Sequence, residues 1–204
     1  MKINKKKFVY LISPNKILKS FYGDFVKVLT SNKISFFQLR LKKDNFENKL
    51  KIAKKLKKIC QKFKVKLLIN DDPVLANRVG ADGCHLGQKD MTINDARRIL
   101  KKKIIGVTCH NSIKLAKIAF KKNADYIAFG AFNSSSTKKV KFKANIKIIR
   151  KFKKISDIPI VAIGGIDNLN YKKLLLNKAD FLAISGYIWN NKKLKPAEAI
   201  RLLK

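Results

Sequence analysis

Acidic residues are scarce in this chain. Thirteen Asp and Glu stand against 48 Lys and Arg, a formal charge of +35 over 204 residues. Such a balance fits a polyanion binder, in which clustered lysines neutralise phosphates and release counterions. The distribution argues for the plainer reading: Lys decorates almost every helical stretch, as at Lys54-Lys55 and Lys101-Lys102-Lys103, and no zinc-finger or RNA-recognition signature accompanies it. No specific nucleic-acid partner is therefore expected, although non-specific attraction at low salt is. Cysteine is also sparse. Cys60, Cys84 and Cys109 are odd in number and lack C-x-x-C spacing, and two of them fall in apolar, strand-like runs. This excludes a disulfide framework and points to inert core thiols in a reducing compartment.

Long hydrophobic runs are missing too. The apolar segment Phe8–Ser13 is too short for a signal peptide and is followed by Pro14 and basic residues. No stretch is long enough to span a bilayer. The expectation is a soluble cytoplasmic protein without a membrane partner. A G-x-G-x-x-G fingerprint is absent from the first strand-to-helix turn, which weakens a dinucleotide-binding reading. Neither a Ser-His-Asp arrangement nor zinc-ligand spacing can be assembled from the two histidines, His85 and His110. His85, within an apolar run, reads as a core or supporting histidine, whereas His110 stands where it could meet a ligand.

What is present is a rhythm. Short runs rich in β-branched and aromatic residues alternate with longer Lys-rich stretches of helical period. The strand candidates are Phe8–Ser13, Phe36–Arg40, Lys66–Asn70, Gly83–Leu86, Ile104–Thr108, Tyr126–Phe132, Pro159–Ile163 and Phe181–Ser185. Helices are expected over Asn45–Phe63, Thr92–Leu100, Asn111–Phe120, Ala144–Phe152, Leu169–Leu176 and Pro196–Leu203, with weaker ones at Asn15–Leu29 and Pro73–Val79. Thr92, with Asp95 beyond it, makes a near capping box, and Pro196 suits a first helical turn. No two-residue hairpin joins consecutive strands, so the sheet is expected to be parallel with crossover helices. Eight units of about 25 residues describe a single α/β domain over residues 1–204, a (β/α)8 (TIM) barrel.

In such a barrel the carboxyl ends of the strands carry the site. The second strand ends Gln38-Leu39-Arg40-Leu41-Lys42, with Gln38, Arg40 and Lys42 in phase and Leu39 and Leu41 opposite. Three long polar side chains in phase are poor core material and suit an anionic or heteroaromatic ligand. The third ends Asn70-Asp71-Asp72-Pro73, residues equally at home in a turn and helix cap. Asp90, in the loop after the fourth, could approach Asp71 across the mouth. Two carboxylates plus substrate phosphates would suit Mg²⁺, which keeps several waters. The sixth strand leads into Asn133-Ser134-Ser135-Ser136-Thr137-Lys138-Lys139, a hydroxyl-rich loop able to cradle phosphate. Glycines follow the seventh and eighth strands, at Gly164-Gly165 and Gly186, where this fold commonly binds phosphate.

Taken in order, these segments resemble the thiamine phosphate synthase family. The likeness rests on Gln38 to Lys42, Ile69-Asn70-Asp71, Gly80 to Asp90, Gly106 to His110, Ala124-Asp125-Tyr126, Thr137-Lys138-Lys139, Val161 to Ile166 and Ile184-Ser185, and covers roughly Phe36 to Ile188. Family membership implies a transferase that joins 4-amino-2-methyl-5-hydroxymethylpyrimidine diphosphate to a (carboxy)hydroxyethylthiazole phosphate, releasing pyrophosphate with Mg²⁺. It implies that Gln38, Leu39, Arg40, Leu41, Lys42, Asn70, Thr108 and Lys138 hold the pyrimidine diphosphate. It places Mg²⁺ on Asp71 and Asp90, and the thiazole phosphate on Ser135, Ser136, Thr137, Gly165, Ile184 and Ser185. Arg40, Lys42 and Lys138 become the catalytic cations. The chain departs from the family where Asn133-Ser134-Ser135 replaces an aromatic-proline-threonine step, and where Asp72 replaces a basic residue. A thiazole tautomerase shares the fold, but its pattern carries a histidine early in the sixth loop, where this chain has Ala131-Phe132. Oligomeric state stays open.

Overall fold

The computed structural model describes residues 6–134 and 140–204. Among these, eight strands run β1 (Val9–Ile12), β2 (Ile34–Leu39), β3 (Lys66–Asn70), β4 (Gly83–Leu86), β5 (Ile104–His110), β6 (Tyr126–Gly130), β7 (Ile160–Ile163) and β8 (Phe181–Ile184). They alternate with helices α1 (Phe21–Leu29), α2 (Phe46–Lys62), α3 (Pro73–Val79), α4 (Ile93–Leu100), α5 (Ile113–Lys121), α6 (Lys147–Lys153) and α7 (Tyr171–Leu176). Two further helices, α8 (Gly186–Trp189) and α9 (Pro196–Arg201), finish the chain. Every strand pairs in parallel with its sequence neighbours, and β1 pairs with β8, closing the barrel. The expected (β/α)8 architecture is what forms.

Local chemistry explains the element boundaries. Asn45 caps α2 by accepting from the Asn48 amide at 2.9 Å. Asp72 caps α3 through the Leu75 amide at 2.8 Å, with Pro73 at the first position, where its missing N–H is no loss. Thr92 accepts from the Asp95 amide as the sequence pattern foretells. The apolar stripes of the helices bury Leu50, Ala53, Leu56 and Cys60 of α2, and their counterparts, against the outside of the barrel. A second cluster, including Tyr10, Phe36, Leu68, Tyr126, Val161 and Phe181, plugs the inside. Gly106 makes room for that plug, since a Cβ there would stand 1.8 Å from the Tyr126 ring. All three cysteines are buried, and burial pushes the Cys60 and Cys109 thiols up to about 12. Burial in the core is the expected placement.

A repeated device ties the amino ends of the strands. Asp82, Asp125 and Asp180 each follow a buried alanine and precede β4, β6 and β8. Their carboxylates accept the amides of Leu67 (3.0 Å), Ile105 (2.8 Å) and Ile160 (2.7 Å) on the preceding strand. Their own amides donate back to the carbonyls of the same three residues. Each carboxylate also takes a cation from the intervening layer: Lys57 of α2 at 2.8 Å, Arg97 of α4 at 2.7 Å, Lys153 of α6 at 2.8 Å. Partly buried carboxylates are favoured by such partners, and the three clamps secure the face opposite the site. No helix among the described residues is long and apolar enough to cross a membrane.

Candidate active site

The strand alternation at β2 holds. Leu39 and Leu41 are 3% and 4% exposed in the outer core, so only their backbone is free to meet a ligand. Ile184 is placed likewise, at 1%. Gln38 points into the barrel and is itself buried. The Arg40 amide bonds to Ser13 Oγ at 2.9 Å, its guanidinium reaches Asn15 Oδ1 at 3.3 Å, and Ser185 Oγ donates to the Ser13 carbonyl at 3.2 Å. Arg40 and Ser185 therefore share one mouth, at the carboxyl ends of the strands.

Across that mouth Lys42 Nζ lies 3.3 Å from Asp71 Oδ2. Asp71 is set by a bend of positive φ (63°) after β3, its amide donating to the His85 carbonyl at 2.8 Å. Asp90 accepts from the Gly87 amide at 2.7 Å and is within hydrogen-bonding reach of the Asp71 carboxyl. Burial and the Asp71 carboxyl push the Asp90 pKa up, against the pull of the Gly87 amide and Lys42. Two carboxyls that crowd each other with only hard oxygen donors are what a dication relieves. Among the described residues no cluster of three or more His, Cys, Asp or Glu forms a closed cage. The pair thus fits Mg²⁺ completed by water and phosphate oxygens. A cavity of about 360 Å³ flanks it, with Lys42, Lys49, Asn70, Asp71 and Asp72 on its polar side.

Beneath the mouth lies a part of the site the sequence reading did not foresee. Tyr10, Tyr126 and His85 join Gln38 to Thr108 through buried hydrogen bonds. Burial pushes His85 down to about 4, with Asp90 pulling weakly the other way, so the ring is neutral. In-phase polar groups inside apolar strands are the only trace of this in the sequence. His110, with φ 51°, stacks on Phe142 at 4.3 Å between ring centres.

Gly164 and Gly165 have φ of 107° and 56°. A Cβ at Gly165 would stand 2.0 Å from the Ser134 carbonyl, and one at Gly164 2.4 Å from Ala131. The close approach of the loop after β6 is thus one reason for these glycines. Ser135, Ser136, Thr137 and Lys138 lie outside the described residues.

A family model described as thiamine monophosphate synthase matches residues 9–188. The thiamine-phosphate synthase of Pelagibacter ubique (strain HTCC1062) is 68% identical over 207 aligned residues, covering all of both chains. That of Rhodospirillum centenum (strain ATCC 51521 / SW) is 38% identical, over 94% of this chain and 93% of its own. Among solved structures, the thiamine phosphate pyrophosphorylase of Pyrococcus furiosus superposes with a TM-score of 0.85 at 27% identity, covering 98% of this chain and 94% of the other. By these matches the chain belongs to the thiamine monophosphate synthase family of transferases.

Proposed function

We propose that the chain condenses hydroxymethylpyrimidine diphosphate with a hydroxyethylthiazole phosphate, giving thiamine phosphate and pyrophosphate. The observation that carries this reading is Lys42, on the extension of β2, paired with Asp71 beside Asp90, with Arg40 in phase with it at the same mouth. That pairing has a use where a diphosphate departs and none in an isomerisation.

In the proposed reaction the bond between the pyrimidine methylene and the diphosphate oxygen breaks first, the electron pair leaving with the diphosphate. The thiazole nitrogen then donates its lone pair to the methylene cation. Negative charge accumulates on the leaving group, so cations fixed beforehand serve the transition state better than the ground state. Arg40, held by Ser13 and Asn15, needs little reorganisation to meet it. Lys42 is already placed by Asp71. Asp71 and Asp90 would hold Mg²⁺, which supplies further neutralisation of the diphosphate oxygens. Lys138 is assigned to the same leaving group. Ser135, Ser136, Thr137, the Gly165 and Ile184 backbone and Ser185 are assigned to the thiazole phosphate, while Asn70, Gln38 and Thr108 take the pyrimidine side. One fixed cation contributes about 3 kcal/mol to such a step, on the order of a hundredfold in rate.

Purified protein incubated with both substrates and Mg²⁺ should yield thiamine phosphate, detected by mass, in equal amount with pyrophosphate. Product formed equally well in excess chelator would remove the metal assignment. Absence of product under all conditions would remove the function. The setting proposed is one cytoplasmic domain acting on small phosphorylated substrates.

A further inference from the structure

A file of hydrogen bonds crosses the inside of the barrel from β2 to β5. Gln38 Nε2 donates to Tyr10 Oη at 3.0 Å, and the Tyr10 and Tyr126 hydroxyls are 2.8 Å apart. Tyr126 Oη is 2.8 Å from His85 Nδ1, and His85 Nε2 is 2.8 Å from Thr108 Oγ1. Gln38, Tyr10, Tyr126 and His85 are all buried, so water offers none of them a replacement partner. The rings also pack: Tyr126 stacks on His85 at 5.6 Å and meets Tyr10 edge-on at 5.8 Å.

A hydroxyl has one proton to give, so the direction chosen at one end propagates. With the Gln38 amide as donor to Tyr10, the arrangement that leaves no proton of the file without an acceptor sends the Tyr10 proton to Tyr126 and the Tyr126 proton to His85 Nδ1. His85 then carries its own proton on Nε2 and gives it to Thr108. Any local reversal leaves a buried hydroxyl proton without an acceptor, which is unfavourable. Among the described residues two groups emerge with capacity unspent, on opposite sides of the mouth: the Thr108 hydroxyl as a donor and Gln38 Oε1 as an acceptor.

We propose that this one-way file makes Tyr10, Tyr126 and His85 positioning residues that set the donor–acceptor polarity of the pyrimidine pocket. The proposal rests on the functional reading above, in which Gln38 and Thr108 face the pyrimidine. A 4-aminopyrimidine offers an amine donor to Gln38 Oε1 and a ring-nitrogen acceptor to the Thr108 hydroxyl. Its 4-oxo counterpart puts a carbonyl where the amine was, so two acceptors face each other. A site built on polar partners rejects such a mismatch strongly because its own groups are left unpaired. The file holds the pocket to one polarity, and cutting it frees Gln38 and Thr108 to reverse.

The test uses the full chain. In the wild type, ¹⁵N NMR of His85 should show a protonated Nε2 and a bare Nδ1; the opposite tautomer overturns the proposal with no variant needed. Tyr126→Phe cuts the file without removing a partner of Gln38 or Thr108, whereas Tyr10→Phe cuts it at the Gln38 end. Each should lower the kcat/KM preference for 4-amino over 4-oxo pyrimidine diphosphate by about tenfold or more. KM for the thiazole phosphate should stay unchanged, and Tyr126→Phe should give a mixed His85 tautomer. A preference retained in folded variants overturns the positioning role while leaving the function intact. If both variants fail to fold, the wild-type tautomer decides. A wild type that makes no thiamine phosphate overturns the functional reading instead.

Discussion

Lys42 Nζ sits 3.3 Å from the Asp71 carboxylate, the same carboxyl that crowds Asp90. The lysine therefore occupies, in part, the electrostatic place of a metal. Lys42→Met should raise the affinity for Mg²⁺ alone by about threefold, the worth of a half-exposed ion pair, while weakening pyrophosphate binding. Titration calorimetry with Mg²⁺ in the absence of diphosphate reads the first effect; an unchanged affinity would show that the lysine does not compete.

Asp71→Asn should separate activity from stability. At φ 63° asparagine is at least as comfortable as aspartate, and the substitution relieves like-charge crowding with Asp90. Turnover at saturating Mg²⁺ is expected to fall about a hundredfold or more, with the thermal midpoint unchanged or higher. A variant that loses both together would mean that the pair is structural.

The opposite face should behave in the opposite way. For Asp82, burial raises the pKa, but hydrogen bonds from Lys57 and the Leu67 amide, and the charges of Lys57 and Lys66, outweigh it and hold the carboxyl below its usual range. A depressed carboxyl contributes stability above its unfolded pKa of about 4 and loses it as pH falls through the folded value. Asp82→Ala should cost about 1–3 kcal/mol at neutral pH and flatten acid denaturation below about pH 4. Steady-state rates at 25 °C should not move. Chemical unfolding at several pH values, beside an activity assay, checks both halves.

Two glycines give a sharper contrast. Gly106→Ala drives a methyl into the Tyr126 ring from 1.8 Å and should destabilise by roughly 3 kcal/mol or more, if it folds at all. Gly23→Ala, within α1 and with nothing inside 4 Å, should stabilise by about 0.5–1 kcal/mol. Thermal melts of the two variants decide it. Equal midpoints would mean that the barrel interior is looser than its geometry.

The sequence is most readable where turn chemistry and periodicity agree. Lys66–Asn70 and Pro73–Val79 form with the expected bounds because Asn70-Asp71-Asp72-Pro73 ends one element and caps the next. The first helix, expected from Asn15, begins at Phe21, where buried side chains begin; Leu18 before it is exposed. The Ala144–Phe152 helix likewise starts later, at Lys147, whose amide donates to Asn145 Oδ1 at 2.9 Å. Helix Gly186–Trp189 is a single turn and has no period to read. At the site, the phase of Gln38, Arg40 and Lys42 against Leu39 and Leu41 is written in the sequence. The bonds joining Tyr10 to Tyr126 are not, because 116 positions separate them and only closure of the barrel brings them together.

The aspartate clamps serve three strand pairs, β3–β4, β5–β6 and β7–β8, and pass over the first. At the foot of β2 stands Lys33, whose ammonium turns instead to the Ile200 and Arg201 carbonyls of α9, at 3.3 and 3.1 Å. A closed sheet has no edge, but this first pair is tied at its base without a carboxylate, by the Val9 amide on the Lys33 carbonyl at 3.0 Å and by Lys33 on α9. Its upper end holds Ser13 and Arg40. Sub-global opening begins where fastening is weakest, and a ligand that binds only the closed form suppresses it. On the proposed function, diphosphate bound at Arg40 would do from above what an aspartate clamp does from below, and amide exchange in β1 and β2 should slow more than elsewhere in the barrel when pyrophosphate and Mg²⁺ are added.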